Sequence, residues 1–117
     1  MYSPLLKSCC GKVETVLGSS SIRTLNEYLD EPQKILNINS LNALIYFVSY
    51  TDIILNQPTL ILNHNGNLLL NWVDKNNNDI EIEFKENNLS CYSETSKSDF
   101  NVPLNKKAIQ VFLNLHS

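Results

Sequence analysis

The chain has 117 residues, a net charge of -3 and a 43% share of hydrophobic residues. That length means one domain with a sizeable core. The weak acidity argues against nucleic acid as a direct partner, because such binders carry a basic patch. Cys9, Cys10 and Cys91 follow no CxxC spacing, and only His64 and His116 accompany them. Reduced thiols and no structural zinc are the expectation. No stretch has the make-up of a signal peptide or membrane span. The longest apolar run, Leu41–Leu55, is broken by Asn42, Ser49, Thr51 and Asp52, so a cytoplasmic protein without cofactor is expected.

Leu5, Leu6, Cys9, Cys10, Val13, Val16 and Leu17 recur at helical spacing and predict a short helix ending at Gly18. Ile22, Leu25, Tyr28 and Leu29 give a second, over Ser21–Asp30, stopped by Pro32. Asn39 or Ser40 can cap a third, the main helix. Leu41, Leu44, Ile45, Val48 and Ile53 line its buried stripe, over Ser40–Leu55.

A meander follows. Asn65-Gly66 is a strong hairpin signal. A two-residue loop would set Leu60 and Leu62 on the opposite face from Leu68, Leu70 and Trp72. A three-residue loop, His64-Asn65-Gly66, pairs Asn63 with Asn67 and gathers all five on one face. The apolar pattern selects the second, with Gly66 left-handed. After a polar loop at Asp74–Asn78, Ile80, Ile82 and Phe84 alternate with Asp79, Glu81, Glu83 and Lys85. Beyond a turn at Lys85–Asn88, Leu89 and Cys91 face in, and Ser90 and Tyr92 face out. Ser93–Asn101 is polar and predicted to be a loop. Leu104, Ala108, Ile109, Phe112, Leu113 and Leu115 then predict a helix over Asn105–Leu115. The expected fold is α+β in one domain: N-terminal helices, a four-stranded antiparallel meander, and a C-terminal helix packed on one sheet face.

Candidate chemistry is sparse. Trp72 shares the parity of Leu70 and Ile80 and is expected in the core. His64 is expected at an exposed hairpin tip, and His116 in a frayed terminus. A cysteine nucleophile needs a nearby base that neither histidine is placed to supply. Glu81 and Glu83 point the same way, about 7 Å apart. That spacing can serve acid–base chemistry or hold a divalent cation, but no further ligands or cleft accompany it. The remaining outer face mixes Ile61, Leu69 and Val73 with Asn71, Glu81, Glu83 and Tyr92. Such a patch suits a protein interface; the alternative is that the N-terminal segment folds over it.

The stretch QPTLILNHNGNLLLNWVD, with Pro58, Gly66, Leu70 and Trp72, resembles the P…G…L-x-W hairpin of small bacterial helix/β-meander proteins. Those proteins are often encoded in toxin–antitoxin-like or defence-related gene pairs. The likeness spans about Asn39–Tyr92, including the acidic strand DIEIEF. Asn71 stands where many members have an acidic residue, and EYLDEPQKI replaces a glycine-rich aromatic stretch. The resemblance implies a small accessory or neutralising binder, not an enzyme, and carries over no catalytic residues. The expected function is therefore an antitoxin or immunity-type inhibitor that contacts a toxic, basic protein partner. Glu81, Glu83, Asn71, Tyr92, Leu69 and Ile61 would form the contact. Alternatives are a phage- or mobile-element-encoded inhibitor of a host defence complex, a structural homodimer, and a small metal enzyme using Glu81 and Glu83.

Overall fold

The computed structural model describes residues 16–17, 36–51, 53–95 and 97–117. Apart from Val16 and Leu17, which are buried in the core, the two helices predicted ahead of the main one lie outside these residues. The described elements run α1 (Ile38–Ser49), β1 (Asn56–Leu62), β2 (Leu68–Val73), β3 (Asp79–Phe84), β4 (Asn88–Ser93), β5 (Ser98–Pro103) and α2 (Lys106–His116). The fold is α+β, an antiparallel sheet in the order β1-β2-β3-β4-β5 with helices on one face. It has five strands instead of four. The segment expected as a loop over Ser93–Asn101 instead returns after β4 as β5, which pairs Leu89 with Val102 and Cys91 with Phe100.

The first hairpin takes the three-residue turn. Asn63 N donates to Asn67 O at 2.9 Å, and Gly66 N donates back to Asn63 O at 3.1 Å. Gly66 has φ 84°, a left-handed conformation that costs glycine little. The Asn63 side chain clamps the turn, its Oδ1 accepting from Asn65 N and Asn67 N at 2.9 Å each. Leu60 therefore faces Leu70, Leu70 faces Ile82, and Ile82 faces Cys91. Leu60, Leu68, Leu70, Trp72, Ile80, Ile82, Phe84, Leu89 and Cys91 are buried as expected, while Leu62 is only partly covered.

The main helix is capped by Asn37, not by Asn39 or Ser40: the Asn37 side chain accepts from Asn39 N. Ser40 has a different task. Fully buried, its hydroxyl accepts the Leu68 N–H at 2.8 Å, pinning the helix to the start of β2. Asn37 adds main-chain and side-chain bonds to Gly66 O and Asn67 Oδ1. The helix ends at Ser49, six residues short of Leu55. Ser49 and Thr51 turn their hydroxyls back onto the carbonyls of Ile45 and Phe47, a local competition that favours termination. Ile53, expected on the buried stripe, is exposed.

An aromatic chain seals the core. Phe47 packs edge-on to Phe84 at 5.5 Å and lies 6.3 Å from Trp72; Trp72 meets Phe112 at 6.0 Å. Fully buried Trp72 donates its indole N–H to His116 O at 2.9 Å, docking the end of α2. Asn105 caps α2 by accepting from Ala108 N.

Ser40→Ala leaves the buried Leu68 N–H without its acceptor. It should cost about 1–3 kcal/mol in denaturant unfolding, whereas Ser49→Ala, on an exposed residue, should stay within about 0.5 kcal/mol. Equal effects would remove Ser40 as the pin.

Candidate functional site

The face of the sheet opposite α1 and α2 carries no other described element, and the N-terminal segment expected as its alternative cover lies outside the described residues; the face is built by strict alternation. Two adjacent cross-strand rows cross it: Thr59–Asn71–Glu81–Tyr92–Asp99 and Ile61–Leu69–Glu83–Ser90–Asn101. All six residues expected at the interface fall in these two rows. Ile61, Glu81 and Tyr92 are exposed, while Leu69, Asn71 and Glu83 are half-buried. Ile61 and Leu69 are cross-strand neighbours and form the apolar part of the patch.

The two glutamates have different surroundings. Glu83 Oε2 accepts the side-chain amides of Asn63 and Asn67 at 3.0 and 2.9 Å, so its carboxylate is held over the first hairpin. Glu81 is exposed and lies between Asn71 and Tyr92. Asn71 spends its amide on Ile80 O at 3.1 Å. Asp99 and Asn101 of β5 extend the face beyond what the sequence suggested. Asp79, Glu81, Glu83 and Asp99 share one parity across β3 and β5, giving the face an acidic character.

The other candidates are placed plainly. Among the described residues no three or more His, Cys, Asp or Glu side chains gather in a metal-binding group. His64 is exposed at the hairpin tip. Cys91 is a free, buried thiol whose Sγ lies 3.6 Å from Leu89 O, and burial pushes its pKa up to about 12. A thiol so far from ionisation at neutral pH is no nucleophile. Cys9 and Cys10 lie outside the described residues. No helix among the described residues is long and apolar enough to cross a membrane.

His116 is a correction. Instead of fraying, it ends α2 and stacks between Phe112 at 4.9 Å and Phe100 at 5.7 Å. Desolvation lowers its pKa from 6.5, and the Asp74 carboxylate opposes that shift. It also lines a groove that sequence reasoning missed. Between β5 and α2, Phe100, Val102, Ala108, Val111, Phe112 and Leu115 line an apolar trough of about 480 Å³, with Lys107 at its rim. The in–out alternation of Phe100 and Val102 was its sequence signal, obscured by the polar residues around them.

No protein-family model, curated protein or solved structure matches the chain.

Two tests follow from these environments. A histidine whose folded pKa lies below its unfolded value binds fewer protons when folded, so stability is lost as pH falls below 6.5. The melting temperature should therefore fall between pH 7.5 and pH 5.5, and fall less in His116→Gln; parallel declines would refute the shift. In mass-mapped thiol labelling, Cys91 should react only when the chain is unfolded, and rapid native labelling would contradict its burial.

Proposed function

We propose that the chain is a small cytoplasmic protein-binding protein of the antitoxin or immunity type, neutralising a toxic partner by occupying it. The observation that carries this reading is the outer face. Exposed Ile61 and half-buried Leu69 form an aliphatic patch beside Glu81, Glu83, Asn71 and Tyr92 on one face of the sheet. A patch of aliphatics rimmed by polar and aromatic groups suits protein recognition. The added carboxylates of Asp79 and Asp99 favour a basic partner and a fast, salt-sensitive encounter. Against a nuclease toxin, Glu81 and Glu83 would stand where substrate phosphates bind, and Tyr92 would supply an amphipathic contact.

Binding by occupancy also suits the helix side of the sheet. There the space between sheet and helices is filled by Trp72, Phe47, Phe84 and their aliphatic neighbours, which leaves the outer face to meet a partner.

The test is co-expression with the toxic product of an adjacent gene. Growth should be rescued by the wild-type chain and lost with Glu81→Lys or Ile61→Asp, while both variants keep the wild-type melting temperature. Affinity should drop at least about tenfold for each, as expected when a desolvated contact or a charge pair is broken at an interface. Glu83→Lys is the weaker probe, because it also releases Asn63 and Asn67. Rescue that survives both clean substitutions would move the contact off this face.

A further inference from the structure

The sheet has two edges, and they differ. At β1 the chain turns left-handed at Gln57 with φ 52°, bulges between Asn56 and Thr59, and carries Pro58. These are the devices by which proteins blunt an edge. β5 has neither a bulge nor a left-handed residue. It pairs with β4 in unbroken register from Ser98 to Pro103, and its single proline is the last residue. No strand lies beyond it among the described residues.

The phase of the ladder fixes what that edge offers. Leu104 N donates to Asn87 O, so the residues of β5 bonded to β4 are Ser98, Phe100 and Val102. The main-chain N–H and C=O groups of Asp99 and Asn101 point the other way, to the open side. Next to them, on the helix side, half-buried Phe100 fronts the apolar trough. Val111 and Leu115 of α2 stand 52% and 69% exposed along it. An edge that needs a strand and a helix flank that needs apolar cover lie together.

We propose that β5 pairs antiparallel with β5 of a second copy of the chain, about a two-fold axis, to give one continuous ten-stranded sheet. The in-phase registers can be sorted by chemistry. Asp99 opposite Asp99 sets two carboxylates against each other. Asn101 opposite Asn101 places Asp99 opposite Pro103, which has no N–H to give. Centring the axis on Val102 again brings Pro103 into the ladder. With Phe100 opposite Phe100, each Asp99 faces Asn101 of the second copy. Both residues then exchange main-chain bonds, and each carboxylate accepts from a side-chain amide, twice over by symmetry. On the helix side the same register brings the two Phe100 rings together beneath the Val111 and Leu115 flanks of both α2 helices. This hydrogen-bond complementarity, with no carboxylate facing another, is internal to the sequence of β5, which is why the occupant is a second copy and not a foreign strand. The dimer goes beyond the proposed inhibitory role and stands independently of it, although it would join two acidic outer faces into one surface.

The test is sedimentation equilibrium of the full chain over a concentration series reaching about 0.5 mM. The wild type should show a reversible monomer–dimer equilibrium. Asn101→Asp, which sets carboxylates face to face in two symmetric pairs, should raise the dissociation constant at least about tenfold. Adding Asp99→Asn to it exchanges the two groups and should restore dimerisation. Asn101→Pro, which removes an outward N–H and no main-chain bond to β4, only the side-chain bond from Asn88 at 3.0 Å, should abolish it, while Asn88→Ala, which removes that side-chain bond alone, should leave it intact; circular-dichroism melting confirms that each variant folds. A wild type that stays monomeric throughout overturns the proposal and leaves the trough to a foreign strand or an apolar ligand. A dimer indifferent to both Asn101 substitutions overturns it too.

Discussion

The turn at Asn63–Asn67 sets the parity on which the rest of the molecule depends. A strand presents alternate residues to opposite faces, so one residue more or less in this turn would invert β1 against β2. Asn63 makes the choice physical. Its main chain closes the turn around left-handed Gly66, and its side-chain oxygen takes two of the turn's N–H groups. Once Leu60 stands opposite Leu70, the tight connections at Asp74–Asn78 and Lys85–Asn88 propagate the same parity to Cys91. The sorting of aliphatics inward and carboxylates outward then follows strand by strand.

Parity alone does not make a domain; the apolar face must be covered. The two covering helices are each docked by a directional bond from a buried N–H within a broad hydrophobic contact, and α1 also by the bonds of its cap Asn37 to the first hairpin. Ser40 holds α1 to the first residue of β2, and the Trp72 indole holds the last turn of α2. Each bond satisfies a buried N–H that would otherwise be costly. The aromatic chain from Phe84 through Phe47 and Trp72 to Phe112 links these two attachments. Loss of packing at one helix is therefore felt at the other. This is also why Trp72, the most conspicuous residue in the sequence, serves cohesion and not chemistry.

Much of this architecture was legible because it rests on period-two and period-three-to-four patterns in apolar residues. The hairpin register, the DIEIEF strand and the C-terminal helix were all written in that way. What escaped was decided by polar side chains. Asn37 outcompeted Asn39 and Ser40 as the α1 cap because Ser40 was needed by Leu68, a contact 28 residues away. The end of α1 was set by hydroxyls folding back at Ser49 and Thr51, which a hydrophobic stripe through Ile53 conceals. In β5, Ser98, Asp99 and Asn101 have low strand propensity. The strand forms because β4 supplies a ladder, with Phe100 and Val102 anchoring it to Phe112 and Leu89. The six residues read as an interface share two neighbouring rows because the alternation was right. The groove beside β5 was invisible because its strand was.

The outer face also differs internally in how much order it already has. Asn63, Asn67 and Glu83 hold one another, and Asn71 is bonded to the backbone of β3. These side chains surrender little rotamer freedom when a partner docks, which lowers the entropic cost of association. Glu81, Tyr92 and Ile61 are exposed and adaptable by comparison. In the proposed interface, hydrogen-bonded polar groups beside a few exposed anchors would discriminate by position first and by adjustable contact second. The Asn63–Asn67–Glu83 cluster lies over the first hairpin, beside Ile61, while Glu81 and Tyr92 lie in the neighbouring row with Asn71. The proposed recognition should therefore be least tolerant of change on the partner where it meets the Asn63–Asn67–Glu83 cluster.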